Sequence, residues 1–413
     1  VSTEGPAEPG IVIIGGGHAG GSAAAFLRQY GYKGRLTLVG TEPLLPYQRP
    51  PLSKAWLKGE ATAESLALRP ARFYAQQNVE TRLGGTAAAI DRAAHTVALS
   101  DGSVLRYAKL VLALGSRARP LPLPGRDLGG VMELRSAADA DRLQAALKPG
   151  ARLAVVGGGF IGLEVAASAI ALGATATVIE REARVLARVA CPALSAFVQD
   201  YHRAKGVDVR LATGVEALEG SGGQVTGVRL ADGSLVPCDV ALIGVGALSN
   251  DALAQAAGLA CANGIVVDIA ARTSDPDIYA VGDCTNRPLP MYGQMVRLES
   301  VPNAIEQAKQ AAADITGRAP PMQEIPWFWS DQFDLRLQMA GLPFGATQTV
   351  LRGVPDVAGF AVFHLGPDDT VLAVEAINAP ADFMAGRVLV SKQKQVAPGL
   401  LADLSSDMKT LAA

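Results

Sequence analysis

The chain has 413 residues, 49% of them hydrophobic and 18% charged, with a formal net charge of −2. At roughly 150 residues per domain this length allows two or three cores, and the near-neutral charge argues against a generally nucleic-acid-binding surface. Cys191, Cys238, Cys261 and Cys284 form no Cys-x-x-Cys pair, and His18, His95, His202 and His364 are equally dispersed. Spacing therefore offers neither a disulfide framework nor a metal site, and a reducing, cytoplasmic setting is expected.

Val1 to Gly10 lacks the basic start and apolar run of a signal peptide and reads as a short disordered lead. Two apolar stretches, Ile11 to Leu27 and Leu153 to Ile179, approach a membrane span in length. Each contains a glycine triplet, and Glu164 interrupts the second, so buried strand–helix–strand units without a membrane role are expected instead.

The first unit runs from strand Ile11–Ile14 through a helix from Gly20 to Tyr30 to strand Leu36–Val39, and Leu110–Leu114 returns as another buried strand. Arg117 to Gly125 carries prolines that neither a helix nor a central strand accepts, and reads as a linker. The second unit runs from strand Leu153–Val156 through a helix to Thr177–Ile179, closed by Glu180, and ends near Val240–Gly246. A strand at Ile278–Val281 then closes on Gly282-Asp283, and a helix is expected from Asn303 to Thr316. Beyond Pro320-Pro321, Trp327-Phe328-Trp329 and the β-type runs Thr349–Leu351 and Phe360–Phe363 indicate a separate α+β domain, with Trp327 in its core.

The glycine motif occurs twice, as Gly15-Gly16-Gly17-His18-Ala19-Gly20 and as Gly157-Gly158-Gly159-Phe160-Ile161-Gly162. In such a motif the first glycine (Gly15, Gly157) permits a tight turn. The second (Gly17, Gly159) lets the backbone approach a pyrophosphate, and the third (Gly20, Gly162) lets the helix pack on the strand. One copy suggests a nucleotide; two suggest an enzyme that passes electrons between two dinucleotides. Glu180 stands where a carboxylate binds an adenosine 2′-hydroxyl and repels a 2′-phosphate, which favours NADH over NADPH. Arg181, Arg184 and Arg188 nearby are either nucleotide contacts or solvated charge. The first motif departs from this pattern, since Val39-Gly40 is followed by Thr41 and then Glu42, either of which could serve the ribose. Asp283, at a buried strand end, suits ribityl hydroxyls or else an ordinary helix N-cap.

Several motifs occur together and in order: the two glycine motifs, Arg49-Pro50-Pro51-Leu52-Ser53-Lys54, Thr273-Ser274-Asp275 with Ala280–Asp283, Glu299–Ala304, and Trp327–Gln332. Along nearly its whole length the chain resembles the FAD-dependent NADH:ferredoxin reductases, similar to putidaredoxin reductase and the reductases of aromatic dioxygenases, within the glutathione-reductase structural superfamily. The resemblance implies an α/β fold of two Rossmann-like dinucleotide-binding domains plus an α+β C-terminal domain. Residues 1–114 and 247–322 would form the FAD domain, 115–246 the NADH domain and 323–413 the last. It also implies FAD contacts at Ala19, Thr41, Arg49, Lys54, Ala88, Arg135, Asp283 and Val301.

Hydride transfer places nicotinamide C4 near flavin N5 and leaves an anionic flavin that a cation would stabilise. Lys54 is the candidate cation. Glu164, among apolar neighbours, is costly to bury alone, so pairing with Lys54 across a domain boundary is expected, with Glu164 helping to position the nicotinamide. Phe160 either covers the flavin ring or packs in the core, and Trp329 is placed near the edge where electrons leave.

The segment after the first motif has no cysteine, which argues against a thiol relay. The expected function is electron transfer from NADH through FAD to a small [2Fe-2S] ferredoxin that serves a cytochrome P450 or a Rieske-type ring-hydroxylating oxygenase. The alternatives are a rubredoxin reductase and a redox-controlled interaction protein resembling apoptosis-inducing factor. The expected assembly is a monomer or weak homodimer. The resemblance implies acceptor docking at Arg69 and Lys309, with Trp329 as an aromatic neighbour; Lys392 and Lys394 either extend that patch or are scattered surface charge.

Overall fold

The computed structural model describes residues 9–413. The lead expected over Val1 to Gly10 lies outside the described residues up to residue 8, and Gly10 already belongs to a strand. Two compact units are present. The first comprises, among the described residues, 9–49, Thr62–Arg117 and Leu248–Glu324, and the second Pro50–Ala61, Ala118–Ala247 and Ile325–Ala413.

In the first unit, strands Val79–Leu83, Leu36–Gly40, Gly10–Ile14 and Val104–Leu112 follow one another across the sheet, which continues into Thr96–Leu99 and Ala87–Asp91. Ile278–Ala280 also joins Val104–Leu112, in parallel. Strand Gly10–Ile14 is buried on both faces: Ile11 and Ile13 enter one core, Val12 and Ile14 the other. This is the period-two signature of a parallel sheet covered on each side. Helix His18–Gln29 packs on the sheet and against helix Val301–Ile315 through Ala23, Ala24, Ala304, Ala308 and Ala311, whose small side chains let the two backbones approach.

Both helices start two residues before the expected positions. Gly17 is already the N-cap of the first helix. The Ser300 hydroxyl accepts from Asn303 N at 3.3 Å to cap the second, with Pro302 in its first turn where a missing N–H costs nothing.

The second unit contains a parallel sheet ordered Asp208–Arg210, Thr175–Ile179, Arg152–Val156, Val240–Ile243 and Val131–Met132. It also contains an antiparallel sheet ordered Trp327–Gln332, Leu335–Gly341, Val371–Ile377, Phe360–Leu365 and Gln348–Arg352, with helix Pro380–Ser391 packed on it. Trp327 is half-buried, not part of a closed core. It lies between Trp329 (5.4 Å between ring centroids) and the Arg387 guanidinium, 5.0 Å over its ring, a cation–π arrangement that keeps one edge wet. Among the described residues, no helix is long and apolar enough to cross a membrane.

Candidate active site

In the first unit Gly15 has φ +123°, and a Cβ there would lie 2.0 Å from the Ala113 carbonyl oxygen; one on Gly20 would lie 1.9 Å from that of Gly15. Neither position admits a side chain. Gly17 differs, because a Cβ would meet nothing nearer than Arg49 Nε at 3.8 Å. The N-terminus of helix His18–Gln29 thus opens toward a guanidinium. Beside it, His18 Nδ1 is buried without a hydrogen-bond partner, and burial pushes this histidine's pKa down to about 4, Asp283 opposing and Arg69 reinforcing. A helix N-terminus, an arginine and an unsatisfied ring nitrogen around open space fit an anionic diphosphate such as that of FAD.

Around this cradle, Glu42 accepts from Arg49 Nη2 and from the Tyr47 hydroxyl, each at 2.6 Å. Thr41 stands exposed at the end of strand Leu36–Gly40 and so remains the freer ribose candidate. Asp283 accepts from Ser116 Oγ at 3.1 Å, and the next element is strand Thr285–Leu289, so Asp283 caps no helix there. Val301 is the first residue of its helix, and Ala88 is exposed on strand Ala87–Asp91. Lys54, Arg135 and Trp329 belong to the second unit. Arg135 donates its backbone N–H to Asp139 Oδ2 at 3.1 Å.

The second motif repeats the geometry. Gly157 has φ +111° and a Cβ there would lie 2.5 Å from Gly244 O; one on Gly162 would lie 2.3 Å from Gly157 O; one on Gly159 would meet nothing within 4 Å. The open middle glycine again heads a helix, Phe160–Ala171. Glu180 Oε2 accepts from Gly158 N at 2.7 Å and Oε1 from Glu182 N at 2.8 Å, which fixes the carboxylate beside the cradle. Arg184 donates to the Ala190 and Ala187 carbonyls at 2.7 and 2.8 Å, and Arg181 pairs with Glu182 at 3.0 Å. The residues present therefore fit a second dinucleotide.

The fold brings Lys54 and Glu164 together. Lys54 Nζ lies 2.6 Å from Glu164 Oε2, with the glutamate side chain 6% and the lysine 20% exposed. Both lie in the second compact unit, because Pro50–Ala61 groups with it. Sequence reading missed three neighbours. Ser53 Oγ donates to Glu164 Oε2 at 2.5 Å, Ser330 Oγ to Oε1 at 2.6 Å, and Gln332 Nε2 to Ser330 Oγ at 3.0 Å. Gln332 Oε1 in turn meets His202 Nε2 at 2.9 Å. All of these are buried. Ser53, Ser330 and Gln332 lie inside quoted motifs, which was the only available signal.

Phe160 lies against Phe328 with ring centroids 4.5 Å apart and planes tilted by 39°, and remains half-buried. In the assigned docking set, Lys309 pairs with Glu324 at 3.2 Å and the Arg69 guanidinium lies 6.0 Å over the Phe73 ring. Lys392 is exposed and donates to the Ala412 and Ala413 carbonyls at 3.1 and 2.8 Å.

Residues 9–308 match the model of the pyridine nucleotide-disulphide oxidoreductase family, and residues 327–412 match the reductase C-terminal domain. The chain belongs to this oxidoreductase family. Members of the family use FAD and NAD(P)H, the two groups that the two cradles fit. The chain is 49% identical over 403 residues to a probable ferredoxin reductase, CtmF, of Castellaniella defragrans, covering 97% of this chain and 98% of that one. It is 44% identical over 413 residues to putidaredoxin reductase CamA of Pseudomonas putida, covering 98% and 97%. The crystal structure of the covalent putidaredoxin reductase–putidaredoxin complex superposes with a TM-score of 0.95 at 43% identity, covering 98% of each chain. The fold is therefore that of the glutathione-reductase-like flavoproteins, as the resemblance implied. Although the family is named for disulfide chemistry, all four cysteines here are free.

Proposed function

We propose that this chain is an NADH-dependent, FAD-containing reductase of a small [2Fe-2S] ferredoxin, which in turn supplies a cytochrome P450 or a ring-hydroxylating oxygenase. The observation that carries the proposal is the pair of dinucleotide cradles with no cysteine pair between them: electrons taken from a nicotinamide have no thiol relay to enter. When bound, FAD takes a hydride as an electron pair and releases the electrons singly. The first cradle, with Gly15, Gly17, Ala19, Gly20, Thr41, Arg49, Ala88, Asp283 and Val301, is assigned to FAD. The second, with Gly157, Gly159, Gly162 and Glu180, is assigned to NADH. Lys54 and Glu164 are assigned the catalytic role, the ammonium offsetting negative charge and the carboxylate orienting the carboxamide. Arg135 and Trp329 are assigned to FAD, Phe160 to nicotinamide access, and Arg69 and Lys309 to acceptor docking. Residues 1–114 and 247–322 are assigned to the FAD domain, 115–246 to the NADH domain and 323–413 to the C-terminal domain, with a cytoplasmic setting and a monomer or weak homodimer.

The test is steady-state reduction of cytochrome c by NADH with candidate carriers added singly. Stimulation by at least one [2Fe-2S] ferredoxin is expected. Stimulation by rubredoxin alone would replace this reading with that of a rubredoxin reductase.

A further inference from the structure

Away from both cradles, three residues scattered through the sequence meet in the second unit. Cys191 is the N-cap of helix Pro192–Ala204, while His364 and Glu375 lie on the paired antiparallel strands Phe360–Leu365 and Val371–Ile377. Glu375 lies opposite Val362, which places it diagonally from His364 on the same sheet face. His364 Nε2 is 2.8 Å from Glu375 Oε1, and the Cys191 backbone N–H donates to both Glu375 oxygens at 3.1 and 2.9 Å. The Cys191 sulfur, a His364 ring nitrogen and a Glu375 oxygen all lie within 4.8 Å of one another, and all three residues are buried.

We infer that Cys191, His364 and Glu375 form a binding site for a divalent metal ion of the zinc class. The donors are one thiolate, one imidazole and one carboxylate, a borderline-soft set that suits zinc better than magnesium or calcium. Charge supports the same conclusion. A dication with a thiolate, a carboxylate and a neutral imidazole sums to zero, the least costly net charge to bury. Stability alone explains the cluster poorly. Both strands are otherwise apolar over their buried positions, and replacing both partners of a buried hydrogen-bonded pair by apolar groups of similar shape is often nearly neutral. In a tetrahedral site with bonds of about 2.0–2.3 Å, donor atoms stand about 3.3–3.7 Å apart. From the observed spacing, the widest separation, up to 4.8 Å, has to shorten by about an ångström, and the 2.8 Å His364–Glu375 contact has to open by about half an ångström. Three protein donors leave a fourth position. His364 also lines a cleft of ≈ 310 Å³ with Pro343, Thr347 and Thr349, which gives a hydrated ion a way in and water a place as fourth ligand. Sequence spacing could not reveal this site, because its ligands come from a helix cap and two strands.

The site is independent of the redox reading, and its test uses flavin-loaded enzyme. After exhaustive dialysis against chelator, the protein is titrated with Co(II) and followed at wavelengths to the red of the flavin bands; Zn(II) content is measured separately by mass spectrometry after reconstitution. One equivalent per chain, with a tetrahedral Co(II) spectrum that Zn(II) erases, is expected. Cys191→Ser and His364→Gln should each weaken binding more than the roughly 10–100-fold cost of losing an outer-shell partner, while flavin content and NADH–ferricyanide turnover stay unchanged. Substoichiometric binding, an octahedral Co(II) spectrum, or wild-type affinity in both variants would overturn the site and leave a buried His–Glu hydrogen bond beside a thiol. The wild-type spectrum decides the matter even if a variant fails to fold.

Discussion

The carboxylate of Glu164 is held at both ends: Lys54 Nζ sits 2.6 Å from one oxygen and Ser330 Oγ 2.6 Å from the other. A buried carboxylate so enclosed keeps one orientation, and removal of either charged partner strands the other in a low-dielectric site.

Lys54→Met and Glu164→Ala should therefore each slow flavin reduction by NADH in stopped-flow experiments while leaving FAD bound. The double variant should lose less than the sum, with a coupling of about 0.5–3 kcal/mol. Additive losses would separate the two residues. Ser330→Ala, which removes one neutral hydrogen bond, should slow the step less than Glu164→Ala does.

Gly157 and Gly159 should respond oppositely to alanine. At Gly157 the positive φ and the Gly244 carbonyl leave no room, so Gly157→Ala should destabilise the fold. At Gly159, where φ is −82° and the space is open, Gly159→Ala should fold normally and retain FAD but raise KM for NADH. Unchanged nucleotide kinetics in a folded Gly159→Ala enzyme would count against a pyrophosphate at that cradle.

Glu180 holds the Gly158 N–H as well as facing the expected ribose. Glu180→Gln keeps an oxygen for that N–H and removes the charge, so the preference for NADH over NADPH in kcat/KM should narrow by about tenfold, or 1.4 kcal/mol. Glu180→Ala should narrow it too, with a further loss of NADH affinity as the turn loosens. A ratio that does not move in either variant would take the carboxylate out of cofactor selection.

His202 is fully buried, and burial lowers its pKa from 6.5 to about 4, Gln332 opposing. The folded state requires the neutral ring, whereas the unfolded chain takes up a proton below 6.5. Stability is therefore intact above 6.5, falls as the pH drops, and has lost this contribution by about pH 4. The loss is at most about 3 kcal/mol at 1.36 kcal/mol per pH unit. Denaturant unfolding at pH 7 and pH 5 should show a smaller pH-dependent drop in His202→Gln than in wild type, and equal drops would refute the assignment.

The two glycine motifs, the buried strands around them and the helices to within two residues are legible in the sequence because each rests on local constraint. Period-two burial, a turn that only glycine can make and a capping serine act over a few residues. The pairing of Lys54 with Glu164 was also legible, since a glutamate in an apolar helix needs a cation. The half-exposed setting of Trp327 was not, because Arg387 reaches it from a helix far along the chain.

Two dinucleotide folds and a first segment without cysteine can be read from the residues alone. Packing, not spacing, groups Pro50–Ala61 with the second unit and carries Lys54 and Ser53 to Glu164. It likewise brings Ser330 and Gln332 to complete that glutamate's surroundings, and makes Cys191, His364 and Glu375 converge. The reason is physical: backbone propensity and burial pattern act between near neighbours, whereas these clusters form only when strands and helix caps distant in sequence pack on a shared core, and no spacing rule encodes that.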